Sequence, residues 1–291
     1  MGRIDLVPEF SICNTQSGSV KNFHVMESVL SNAISGTIQK PHRIDIVRFC
    51  IEALSIPAVM IIHRLFYNLS GFLLDQQTRD FGHLLETQLD GQIPYVPVFV
   101  IPYLLTWVFG VLVFLYVIAY RTYDVLVFRS LYVAVLAGTV LEFTIWQILP
   151  ASISLRVPAD VLSSHGWLGA MTGYVYENAT VWNVFPSAHI SHAGIAWIFS
   201  RHFALPRHQF MFFTAFVVIC LSVVFIRNHY VVDILSGVLI TFLIYRFIFS
   251  PVLKSETLER ISSASWLAMA YGLCGAVMLG TYIIMGNAWS L

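Results

Sequence analysis

The sequence predicts an all-α polytopic membrane helix bundle, with six core transmembrane helices and a seventh at the C-terminus. Three observations predict it. Of 291 residues, 57% are hydrophobic and only 11% charged, where a soluble domain carries about 25% charged residues. The mean hydropathy is +0.75. Apolar stretches near the about 20 residues needed to cross a bilayer recur along the whole chain. Net charge is zero and no basic run occurs, so nucleic acid is not an expected partner. Cys13, Cys50, Cys220 and Cys274 are scattered, and their spacing spells neither a disulfide framework nor a metal site.

The elements follow in order. Residues 1–43 form a polar N-terminal arm without a long apolar core, so no cleavable signal peptide is expected there. Residues 44–250 hold six spans, at 46–72, 95–119, 124–148, 187–203, 209–227 and 230–250, as the membrane catalytic domain. Residues 251–291 form an extension whose helix, 264–287, is rich in Gly, Ala and Met. Lys and Arg placement sets orientation. Lys21, Lys40, Arg43 and Arg48 precede or open the first helix, Arg121 lies between the second and third, Arg201 and Arg207 lie at the junction of the fourth and fifth, and Arg246, Lys254 and Arg260 at that of the sixth and seventh. All fall on one side if the N-terminus is cytoplasmic. The opposite loops are poorer in cations, and the long loop 150–186 holds only Arg156. Its Trp167, Tyr174, Tyr176 and Trp182 suggest an ordered interfacial cap. Asn178-Ala179-Thr180 fits a glycosylation sequon on that face.

Two segments carry the chemistry. The first is Asn183-Val184-Phe185-Pro186-Ser187-Ala188-His189, and the second is Arg227-Asn228-His229-Tyr230-Val231-Val232-Asp233. Both open apolar stretches on the non-cytoplasmic side, and ionisable groups at membrane helix ends point to function. His229 and Asp233, four apart, share a face if both are helical. The carboxylate would then fix one ring nitrogen and leave the other as an aimed nucleophile. Asn183 reads as an N-cap, Pro186 suits a first turn, and the helix start with Ser187 offers donors to an anion. His189, when protonated, can protonate a leaving alkoxide. Arg227, an outer-face cation beside His229, suits phosphoryl oxygens, and Arg156 invites the same role. Glu142, within the third span, is expected either to hold a polar part of an acceptor or to pair inside the bundle. His192 makes a His-x-x-His with His189; no carboxylate or thiolate lies near it in sequence, so it reads as a packing residue. His63, His83 and His165 join no constellation.

At these residues the chain resembles the type 2 phosphatidic acid phosphatase superfamily. That resemblance implies a six-helix core with an outward-facing site, His229 as nucleophile, Asp233 as its orienter and His189 as general acid. Lipid phosphatases of the superfamily carry Lys-x6-Arg-Pro and Ser-Arg-x5-His motifs. The first is absent here, and the second reads Ser222-Val223. The segment Ser222 to Asp233, the run Asp90-Gly-Gln-Ile-Pro94-Tyr-Val-Pro97, and Tyr176 with Asn183 look instead like the inositol phosphorylceramide synthase-like branch. An aspartate of that branch is missing near Ala179, with Glu177 close by.

The expectation is a lipid phosphotransferase or phosphohydrolase working through a phosphohistidine. A phospholipid would be the donor and a lipid or alcohol the acceptor. Such chemistry rests on positioning and charge, so no metal or cofactor is expected. The alternatives are a phosphatidate or polyprenyl-diphosphate phosphatase and, in another class, a proton-coupled transporter. Transport is disfavoured because the ionisable groups cluster at one face, without paired broken helices.

Overall fold

A computed structural model describes residues 46–76, 79–106 and 125–288. Helices α1 (Ile46–Ala53) and α2 (Ser55–Leu74) meet at a turn at Leu54 and make one span, Phe49–Leu74. The short helix α3 (Pro97–Thr106) opens with a 3₁₀ turn in which Pro97 needs no amide partner. Then come α4 (Val125–Ile148), α5 (Gly166–Asn178), α6 (Ala188–Phe203), α7 (Pro206–Phe225) and α8 (Val231–Ile244). A π-helical turn, Tyr245–Phe249, carries α8 on to Leu253. The last helix, α9, spans Ser263–Ala288.

Five of these are long and apolar enough to cross a membrane: Phe49–Leu74, Val125–Ile148, Pro206–Phe225, Val231–Leu253 and Ser263–Thr281. Large apolar side chains such as Phe72, Phe210, Leu235 and Phe242 are exposed on their outer faces. A water-facing surface does not tolerate such patches, whereas lipid does. Among the described residues the regular structure is all helical, and the chain is an integral membrane protein. The expected fourth span is α6, only 16 residues long. The second begins as α3, and its expected remainder, 107–119, lies outside the described residues, as does the arm 1–43.

Helix α6 is the centre of the bundle and touches α4, α7 and α8. Its approach to α8 depends on two glycines. A Cβ on Gly194 would sit 2.4 Å from Thr241 Oγ1, and one on Gly237 would sit 2.7 Å from Ile190 Cβ. Small residues of this kind let membrane helices pack backbone to backbone. One core cluster joins Phe128, Ile195, Phe199, Ile240 and Phe249; another joins Val100, Tyr103, Ile190, Phe216 and Val223. Away from the motifs, Arg129 of α4 forms a fully buried ion pair with Glu52 of α1. Arg129 also donates to the carbonyls of Leu258 and Ile261 and lies 5.1 Å over the Trp266 ring. The segment leading into α9 is thereby fastened to the bundle.

The loop 150–186 is ordered, as its aromatic content suggests. Ala151 bridges Asn183 in parallel, Ile153 N donates to Val181 O at 3.0 Å, and α5 lies between them in sequence. One sequence expectation is corrected here. Asn183 does not cap α6. Its backbone is drawn into the bridge with Ala151 and its amide donates to Tyr67 O at 2.8 Å. The helix starts later, at Ala188, with Ser187 in the N-cap position and Pro186 outside it.

Candidate active site

The loop between α7 and α8 carries His229. Spacing alone suggests that His229 and Asp233 share a helix face. The structure reaches the same pairing by another route. His229 precedes the helix, and Tyr230 is the N-cap of α8. Asp233, at the third position, turns back to accept from Tyr230 N at 2.9 Å, and the same Oδ2 lies 3.1 Å from His229 Nδ1. Val184 O, from the first motif, also lies 3.1 Å from Nδ1. Both neighbours of Nδ1 are acceptors, so in the neutral ring the proton sits on Nδ1 and the lone pair on Nε2. Ser187 Oγ faces that nitrogen at 3.4 Å. His229 is 3% exposed and Asp233 fully buried.

His189 stands one residue inside α6. Its ring meets the His229 ring edge to face, with centroids 5.7 Å apart, and stacks on Tyr103 at 4.4 Å. The two motifs therefore build one site, where the ends of α6 and α8 meet. A reacting group approaching Nε2 would be flanked by the Ser187 hydroxyl and the His189 imidazole.

The two arginines are held by backbone carbonyls. Arg156 donates through Nε to Asn228 Oδ1 at 3.1 Å, through Nη1 to Tyr176 O at 3.0 Å, and through Nη2 to Ala179 O and Thr180 O. Asn228 Nδ2 in turn donates to Tyr103 Oη at 3.0 Å. A continuous polar chain thus runs from the cap through Asn228 to the ring that supports His189. Arg227 adopts a left-handed backbone, φ 54°. Its Nη2 donates to Asp90 O at 3.2 Å, and its Nε is buried without a hydrogen-bond partner.

Tyr176, Asn183 and Glu142 are each held by contacts within the protein. Tyr176 donates to Ile226 O and lies under the Arg156 guanidinium. Burial pushes its pKa up to about 12, so it stays a neutral donor at the join between the cap and the loop that carries His229. Asn183 is held by Tyr67 O on one side, and its Oδ1 is buried without a hydrogen-bond partner. Glu142 is fully buried; it accepts from Ser191 Oγ, and its Oε2 lies 3.4 Å from His192 Nε2. The carboxylate that His192 lacks in sequence is therefore supplied in space.

Sequence reasoning passed over the structural role of Asp90. Its Oδ1 accepts from Val231 N, the first amide of α8, at 2.7 Å, while Oδ2 accepts from Thr87 N and Thr87 Oγ1. The signal was present as Thr87-x-x-Asp90, a capping box. Asn228 stands within the second motif but was given no role, and Tyr103 was missed, with no local pattern to mark it.

The family model described as the PAP2 superfamily matches residues 78–247. The chain belongs to the PAP2 superfamily. No curated protein and no solved structure matches it. The PAP2 superfamily match takes in both histidine motifs, Asp90, Arg156 and Glu142, and stops within the π-helical turn of α8. α2, with His63 and Tyr67, and α9 lie outside it.

Proposed function

We propose that this protein is a lipid phosphotransferase or phosphohydrolase of the inositol phosphorylceramide synthase-like type, acting through a phosphohistidine. The carrying observation is the set of contacts on His229: acceptors on Nδ1 from Asp233 and Val184, and Ser187 on Nε2. Nε2 attacks phosphorus of a phospholipid headgroup. The bond to the leaving alcohol breaks, and His189, protonated, gives that alkoxide its proton. In the second half-reaction an acceptor alcohol attacks the phosphohistidine while His189 takes the acceptor's proton. His229 Nε2 leaves, and the cycle closes. Asp233 holds the ring and offsets the charge that Nδ1–H develops. Ser187 is the hydroxyl donor to a phosphoryl oxygen, and Arg227 and Arg156 are the nearby cations.

Support for a diester donor comes from the arginines. Carbonyls already take up four donor contacts of Arg156, and Arg227 leans on Asp90 O. The arginine of Ser-Arg-x5-His is Val223 here. A diester carries one negative charge, whereas a monoester carries about 1.5 to 2. A site with few free cationic donors fits the former. The lipid would reach the site from the non-cytoplasmic leaflet, with the N-terminus inside. Phosphatidate and phosphatidylinositol offered at equal concentration, with an alcohol acceptor present, test the reading. Transfer from phosphatidylinositol should dominate. Faster release of free phosphate from phosphatidate would replace this reading with a lipid phosphatase.

A further inference from the structure

A second polar cluster lies inside the bundle, a helical turn along α6 from His189. His63 of α2, Glu142 of α4 and His192 of α6 converge there, and one ligand atom from each lies within 4.8 Å of the other two. We propose that these three side chains form a binding site for a divalent transition-metal ion of the zinc class, joining three membrane helices.

The donor set is the first argument. Two imidazoles and one carboxylate is a combination that zinc takes, with a fourth position left for water. Distance is the second. A tetrahedral ion with bonds of about 2.0–2.1 Å separates neighbouring ligand atoms by about 3.4 Å. Glu142 Oε2 and His192 Nε2 are 3.4 Å apart. Both atoms are buried, and neither makes a hydrogen bond. Buried polar atoms normally find partners, so this pair lacks something that both could contact.

The surrounding groups complete the argument. Metal-binding side chains are generally oriented by a hydrogen bond on their far side. Here Glu142 Oε1 accepts from Ser191 Oγ, and Thr139 Oγ1 lies 3.2 Å from His63 Nδ1. The His63 and His192 rings are in edge contact, with centroids 4.6 Å apart, so a small rotation brings both toward one ion. The His192 side chain is 21% exposed, with its Nε2 turned to the buried side. The carboxylate cancels one of the two charges of the ion, which lowers the cost of holding it within the membrane. This site uses none of the groups assigned to phosphoryl transfer. Its function is to tie α2, a helix outside the family match, to α4 and α6.

The test uses tag-free, detergent-purified full-length protein, stripped with chelator and titrated with Zn²⁺ and, separately, Co²⁺. The wild type should bind one equivalent that His63→Ala and His192→Ala lose. Co²⁺ should show the strong visible absorption of a tetrahedral site. Tm should rise with Zn²⁺ in the wild type and not in these variants, because an ion that binds only the folded state stabilises it. Thr139→Val should weaken binding about 10–100-fold, which separates loss of a supporting contact from loss of a fold. His208→Ala, which alters a histidine remote from the cluster, should change nothing. Equal Zn²⁺ binding by the wild type and a His63→Ala/His192→Ala protein would overturn the proposal. So would a Tm indifferent to Zn²⁺ in the wild type, which would leave Glu142 and His192 as a proton-sharing pair.

Discussion

At the scale of single residues, the site turns on which nitrogen of His229 is free. Asp233 and Val184 O both address Nδ1, so His229→Ala should remove both turnover and any acid-labile labelled intermediate. Rapid quench with labelled donor measures this; label retained on His229→Ala would transfer the role to His189. Asp233→Asn can no longer favour the Nδ1–H form as strongly, and kcat should fall by about 10²–10⁴-fold with KM little changed. Arg227→Lys should also lower kcat/KM by at least about tenfold. A point charge cannot reproduce a planar fork that already holds Asp90 O. Near wild-type kcat/KM in Arg227→Ala would make it only a loop anchor. The spacing of His229 and Asp233, and the Pro-Ser-x-His motif, were legible because both lie within a few residues of one another. The partners of His192 were not. They come from α2 and α4, and only the folded bundle brings them together.

At the scale of elements, the decisive contact is α6 on α8. Gly194 and Gly237 leave no room for a Cβ, since Thr241 and Ile190 fill the space. Gly237→Val should push the ends of these helices apart, and with them His189 from His229. The expected result is a loss of stability of about 1–3 kcal/mol from overpacking. A larger proportional loss in kcat/KM should accompany it, because a displacement near 1 Å can cost about 10²-fold. Thermal unfolding in detergent and steady-state kinetics on the same preparation compare the two. Unchanged kinetics would mean that the motifs tolerate a wider seam. Helix existence was readable from apolar runs, and so was the α8 start, expected at 230 and found at Val231. The α6 start was not, because Asn183, a good cap by residue type, is claimed by Ala151 and Tyr67 from outside its own segment.

At the scale of the whole molecule, the bundle is fastened at a second point, far from the motifs in sequence. Arg129 and Glu52 are both fully buried, and Arg129 also holds the backbone before α9. Arg129→Ala would leave Glu52 without its partner, at a cost of about 3–5 kcal/mol. A lowered Tm should register this, and an Arg129→Met/Glu52→Leu double replacement should restore most of it. If the single variant melts like wild type, the pair carries no stability. Composition announced a membrane bundle and most of its spans. An ion pair between residues 77 apart in sequence leaves no local signature, so this fastening was not readable.

The carboxylate of Asp90 has a consequence for the order in which the protein is made. It closes on Val231 N, a group that enters the chain 141 residues later. At about 5–20 residues per second, the ribosome needs roughly 7–28 s to supply it. Through that interval the earlier helices can already be seated in the bilayer, while the proposed nucleophile and its carboxylate do not yet exist. The contact between Asp90 and α8 therefore closes only once the last core helix has been made. A nascent chain stalled before α8 has its earlier helices but lacks Asp233, so the proposed phosphoryl transfer has to wait for that helix.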